Sequence, residues 1–188
     1  MNFDTKAFRE ALGWFPTGIA VVTAAPLAGA GTQTRLEASH IGITVNSFTS
    51  VSLDPPLVLW CIDRRSRRYP SFAEAPGFTV SILASGHKAV SARLAGAGEH
   101  SLDGIALIPT KLGPPALAES LAVFECARES VQDAGDHAIL IGRVLRFVHH
   151  EGVGAPLVYF RGKYGALAQG TPPDGAAGRR ATDSNCDP

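Results

Sequence analysis

Apolar residues in this chain gather into short runs broken by glycine, proline and charge, the rhythm of strands and turns more than of helices. The run "TGIAVVTAAP" brings Ile19, Val21 and Val22 together ahead of Pro26, and the Gly- and Ala-rich stretch up to Thr34 reads as a hairpin loop. In "HIGITVNSF", Ile41, Ile43 and Val45 alternate with Gly42, Thr44 and Asn46, which turns the apolar set to one face and the polar set to the other. "LVLWCI", directly after Pro55 and Pro56, is apolar throughout and predicts a central strand covered on both faces, as does "GFTVSIL". The strongest hairpin signal joins "LAVFECARESVQDA" to "HAILIGRVLRFVHH" through the dipeptide "GD". "PLVYFRGKYG" predicts one last short strand.

Helical spacing is scarce. Asp4 is placed to cap a short helix in which Phe8, Leu12 and Phe15 recur on one side, and Pro16 and Gly18 stop it. "GHKAVSARLAG" sets Val90 and Leu94 on one helical face and closes at Gly96, while "RRSRRYPSFAEAP" allows a single helical turn. Residues 98–115 read as loop and weak strand around Leu107 and Ile108. The expected fold is therefore mainly β, a closed or nearly closed antiparallel barrel with a few short helices, in one domain over residues 1–168. Residues 169–188 offer nothing to bury and are expected to be a disordered tail.

Composition changes this picture in three places. A formal net charge of +0 argues against a nucleic-acid surface, since phosphate binding draws on clustered Lys and Arg. The three cysteines, Cys61, Cys126 and Cys186, are far apart and form no CxxC, so neither a disulfide framework nor a zinc site is expected, which fits a reducing cytosol. The N-terminus lacks the pattern of a secretory signal and no apolar run has the length of a membrane span, so a soluble cytoplasmic protein without a membrane partner is the expectation.

Glycine-rich phosphate loops, HExxH and GxSxG are all missing, and three polar clusters remain. The first is "GITVNSFTSVSLDPP", which lines up Thr44, Asn46, Ser47, Thr49, Ser50 and Ser52. Uncharged side chains beside the free main chain of a strand end suit a flat heteroaromatic ring, although each hydroxyl taken alone is better explained by a local turn. The second is "CIDRRSRR", where Ser66 and Arg67 are the better candidates for a phosphate and at least two of the four arginines read as a solvated face. The third pairs His137 of "GDH" with Tyr159, Phe160, Arg161 and Tyr164, which either hold a second ring and its phosphates or serve hairpin and core. Cys61, inside an apolar run, reads as packing.

Taken in order, "FPTGIAVVTA", "GITVNSFTSVSLDPPLVLWC", "FTVSIL", "VSARLAG", "GDHAILIGRV" and "PLVYFRGKYG" resemble the flavin reductase-like domain, the reductase component of two-component flavin monooxygenases. The resemblance covers the chain from about Phe8 to about Gly165. It implies an FMN-binding split β-barrel of antiparallel Greek-key type, a homodimer, and reduction of FMN or FAD by NADH or NADPH for a separate flavin-dependent oxygenase. Carried over motif by motif, Gly42, Ile43, Thr44, Asn46 and Ser47 border the flavin ring and ribityl chain, followed by Cys61, Ile62 and Asp63. Ser66, Arg67 and Arg93 are expected at the phosphate, and His137, Tyr159, Phe160, Arg161 and Gly162 at the nicotinamide, with His137 as the catalytic candidate. Two rivals use the same barrel: a flavin- or haem-binding protein without catalysis, and an FMN oxidase resembling pyridoxamine-phosphate oxidase.

Overall fold

The computed structural model describes residues 4–25, 40–96 and 101–167. The loop expected up to Thr34 and the tail expected over residues 169–188 fall outside the described residues. Among the described residues no helix is long and apolar enough to cross a membrane.

A seven-stranded antiparallel sheet forms the body. Its strands are β2 (Ala20–Ala24), β3 (Ile41–Val45), β4 (Thr49–Leu53), β5 (Pro56–Asp63), β6 (Gly77–Ile82), β9 (Ala122–Ala134) and β10 (His137–His149), in the spatial order β3-β2-β6-β9-β10-β5-β4. The first and last strands of that order are neighbours in sequence, joined by residues 46–48 alone. So short a link forces the sheet to curl until its two ends meet, and this makes the barrel. The β9–β10 hairpin is the one expected from "GD", with Gly135 at φ +65° in the turn. Gly142 lies where the β9–β10 register shifts, and a Cβ there would collide with the Phe78 ring and the Cys126 side chain, so only glycine lets the strands close on that core.

Two apolar clusters share the sheet. Inside the barrel, Trp60 packs edge-on against Phe72 at 5.1 Å and Phe78 at 5.7 Å, with Val22, Val58, Ile62 and Leu140 around it. Truncating Trp60 to alanine costs about 3–5 kcal/mol on that basis. Outside one wall, Ile19, Val21, Leu83, Leu94, Leu102 and Leu117 form a second cluster. Its cover is α3 (Lys88–Ala95), the two-stranded β7 (Leu107–Ile108) and β8 (Ala116–Leu117), and a small sheet of β1 (Thr17–Gly18), β11 (Leu157–Phe160) and β12 (Lys163–Ala166).

Four expectations are corrected. "LVLWCI" is not covered on both faces: in β5, Val58, Trp60 and Ile62 are buried while Leu57, Leu59 and Cys61 are half-buried, because no helix or strand among the described residues lies over the outer face there. "PLVYFRGKYG" is a hairpin of β11 and β12, since Arg161 at φ +49° and Gly162 at φ +78° make the tight turn that antiparallel twist prefers. "TGIAVVTAAP" divides between two sheets at Ile19, β1 pairing with β11 and β2 with β3 and β6. Helix α1 (Thr5–Leu12) is capped by Asp4, whose carboxylate accepts from the Lys6 and Ala7 amides at 2.9 and 3.3 Å, but it buries no residue, and Phe8, Leu12 and the following Phe15 are exposed. The allowed helical turn is α2 (Tyr69–Glu74), which carries Phe72 into the barrel core.

Candidate active site

The short link that curls the barrel also leaves it unsealed. Beyond an isolated bridge of Ile41 to Ser101, β3 has β2 on one side only, so every second N–H and C=O along it points away from its partner. Across the gap runs β5, which β4 covers no further than Leu59. Ser47 is the rivet between the two lips: its hydroxyl accepts from the Cys61 amide at 2.9 Å and donates to the Cys61 carbonyl at 3.3 Å.

A depression of about 300 Å³ follows this gap and brings together Ile43, Thr44, Asn46, Ser47, Cys61, Ile62, Asp63 and His137, eight of the residues expected at the ligand. The hydroxyls do not point as the sequence suggested. Thr44 Oγ1 donates to the Ser91 carbonyl on α3 at 2.8 Å, and Ser47 is held by Cys61, so these groups knit the walls. Strand-edge main chain and the exposed Asn46 are left to face a ligand. Gly42 lies elsewhere, buried where a Cβ would come within 2.7 Å of Leu102 Cδ2.

Beyond Ile43 and Asp63 the depression continues into a cavity of about 430 Å³ lined by Ser66, Arg67, Arg68 and Ala95. The four arginines differ sharply in setting. Arg64 pairs with Asp133 at 3.1 Å, and Arg65 grips both Asp63 carboxylate oxygens at 3.2 and 3.0 Å. Arg68 is only 6% exposed and donates to the carbonyls of Gly42, Leu94 and Gly96. Sequence gave no sign of this, because four arginines in five residues look alike until the fold buries one. Arg93 reaches away from the cavity, donating to the Ser101 and Asp103 carbonyls at 2.8 Å each.

His137 opens β10 opposite Asp63, and its Nδ1 lies 2.7 Å from Asp136 Oδ1. The hydrogen bond to His137 holds the Asp136 carboxyl below its ordinary range, and the Arg65 fork does the same for Asp63. Burial pushes the Cys61 thiol up, so it is a neutral thiol at physiological pH and no ready nucleophile.

The expected nicotinamide group is divided. Tyr159 joins Tyr164, at 5.6 Å between rings, in a recess of about 190 Å³ that shares Thr44, Val45 and Asn46 with the main depression. Arg161 and Gly162 instead line a hollow of about 560 Å³ against α1. There the Arg161 guanidinium lies 4.3 Å over the Trp14 ring, with Phe160 edge-on to the same indole at 6.0 Å. Trp14 was not anticipated, since it follows the helix and has no periodic partner in sequence.

A continuous groove with a neutral, strand-edged end and an arginine-lined end is thus assembled from segments far apart in the chain. Its likeness to known proteins is extensive. FMN reductase (NADH) SmoA of Agrobacterium fabrum is 41% identical over 166 residues, covering 88% of either chain. The reductase subunit HsaB of a flavin-dependent monooxygenase from Rhodococcus jostii is 34% identical over 86% of this chain and 77% of its own. The solved structure of the NADH:FAD oxidoreductase SgcE6 of Streptomyces globisporus with NAD and FAD fragments superposes with a TM-score of 0.77 at 30% identity, over 88% of this chain and 93% of that one. The flavin reductase like domain family matches residues 12–168, a span that contains every strand of the barrel and the groove, and the chain belongs to that family.

Proposed function

We propose that this protein is an NADH-dependent flavin reductase that supplies reduced flavin to a separate flavin-dependent oxygenase. The observation that carries the reading is the gap between β3 and β5, where no strand pairs the two edges and β4 covers β5 no further than Leu59. A flavin ring is flat and alternates donors and acceptors along one edge, so it fits there much as an additional strand would. The adjoining cavity holds Ser66 and Arg67, which suit the phosphate that follows the ribityl chain. Ring, spacer and phosphate thus meet neutral edge, gap and cation in the order the molecule requires.

When bound, the flavin takes a hydride from the nicotinamide of NADH, and the chemistry of that transfer belongs to the two rings. The protein's task is to place them. The main-chain N–H groups of β3 that turn away from β2 would serve as fixed dipoles for the ring edge where negative charge grows on reduction. Asp136, accepting from His137 Nδ1–H, fixes the imidazole so that Nε2 is the nitrogen left to meet the nicotinamide or a water at the mouth. Tyr159 and Tyr164 close the recess beside Asn46 and keep water from that side of the ring.

The finer assignment is a homodimer. The half-buried outer face of β5 continues onto β10 at Ile139 and Ile141, which lie opposite Cys61 and Leu59, an apolar area of the kind that marks an interface between subunits. A second copy laid there adjoins Cys61 and His137, and so the mouth of the groove.

NADH oxidation by the purified protein, followed anaerobically with and without added FMN or FAD, tests the reading. Turnover that depends on free flavin is expected. Tightly held flavin with no NADH consumption indicates the non-catalytic binder, and oxidation of an organic amine at bound FMN indicates the oxidase.

A further inference from the structure

Of the four arginines after β5, Arg64 and Arg65 are neutralised by carboxylates, whereas Arg68 has no carboxylate partner among the described residues. It is more than nine-tenths buried. Its guanidinium spans two elements, Nη1 donating to Gly42 at 3.1 Å and Leu94 at 2.7 Å and Nη2 to Gly96 at 2.6 Å. These acceptors are neutral carbonyls, two of them at the C-terminal end of α3, and they offset only part of a full charge. Its Nε–H is buried with no acceptor among the described residues, a cost that a purely structural clamp has no reason to carry. The desolvation pushes the group down from its ordinary pKa, and the one carboxylate lining the same cavity, Asp63, is already gripped by Arg65.

That field opens in one direction. Arg68 lines the 430 Å³ cavity together with Ser66 and Arg67, and its own amide donates to Ser66 Oγ at 3.3 Å, which leaves the serine hydroxyl proton to point at a bound oxygen. We propose that Arg68 is the positioning residue that makes this cavity select a phosphorylated flavin, holding the loop of residues 64–68 against β3 and α3 and supplying buried positive charge without touching the phosphate. The inference rests on the cavity being the phosphate end of the flavin groove. It divides labour within the arginine cluster: Arg67 is the candidate contact, Arg68 the source of field and rigidity, and Arg64 a surface ion pair.

FMN and riboflavin differ by the phosphate alone, so the ratio of their affinities isolates this effect. Equilibrium binding of each to the full chain, read by flavin fluorescence quenching in the absence of NADH, is expected to favour FMN by about tenfold or more in the native protein. In Arg68→Met that preference falls to within about threefold while riboflavin binds within about twofold of native. Arg64→Gln leaves the preference in place. Where circular dichroism shows that Arg68→Met does not fold, Arg68→Lys decides: one ammonium on a shorter reach cannot hold carbonyls on both β3 and the end of α3, and a loss of preference of about threefold at unchanged riboflavin affinity is expected. Parallel loss of both flavins, or an unaltered ratio in the variant that folds, overturns the proposal and leaves Arg68 a structural clamp. Equal binding of FMN and riboflavin by the native chain removes the phosphate from this cavity, and binding of neither removes the flavin reading itself.

Discussion

β2 and β5 are both apolar runs in the same sheet, and they meet opposite fates. All five residues of β2 are buried, because Ala20, Val22 and Ala24 face the barrel core while Val21 faces the cluster under α3 and Thr23 bonds the Pro115 carbonyl. β5 buries Val58, Trp60 and Ile62 and leaves Leu57, Leu59 and Cys61 half open. An apolar strand therefore declares that both of its faces want cover without saying what supplies it. For β2 the cover is the chain itself; for β5 we assign it to a second copy. The groove lies where the self-covered wall meets the bare one, along the seam that Ser47 closes.

That contrast is open to direct attack. The largest effect is expected from Val21→Asp, which sets a carboxylate at a site with 0% exposure and no partner. A penalty of about 4 kcal/mol or more should abolish the cooperative melt seen by circular dichroism. Leu59→Lys, on the outer face of β5, should leave the far-ultraviolet spectrum intact and shift sedimentation toward monomer; equal unfolding by the two substitutions would erase the distinction between the strands. At the seam, His137→Ala should lower kcat/KM for NADH by about tenfold with flavin affinity nearly unchanged, and steady-state kinetics showing neither change would return His137 to a structural role.

The smallest effect concerns acid. Asp63 and Asp136 both have folded-state pKa values below their unfolded ones, so their contribution is present at neutral pH and is lost as pH falls through the folded values. Asp136 is exposed and Asp63 partly so, which leaves solvent to screen both and keeps the loss slight. Asp63→Asn with Asp136→Asn should flatten the decline of Tm between about pH 5 and pH 3, and an unchanged decline would assign acid sensitivity to other carboxylates.

The sequence conveyed the architecture well, for reasons the coordinates make concrete. Period-two alternation in "HIGITVNSF" and the "GD" turn are local signals, and β3 and the β9–β10 hairpin follow from them directly. Convergence of residues 43–47, 61–63 and 137 was legible only through family motifs, since no local rule brings a strand edge, a strand end and a hairpin turn to one slot. What stayed hidden depended on three-dimensional burial. Arg68 is indistinguishable from its neighbours until Gly42, Leu94 and Gly96 surround it, and the hydroxyls of Thr44 and Ser47 gave no hint that they serve the walls. Arg161 and Gly162 were read with the nicotinamide group, whereas the β11–β12 turn carries them to Trp14.

Because Ser47 ties the groove's two lips together with few other bonds across them among the described residues, any molecule that bonds to both acts as a removable staple for the whole barrel. Heat resistance should then rise with the logarithm of free flavin concentration. A cell short of flavin would hold this protein in its more fragile form, and a melting curve alone would report how well supplied it is.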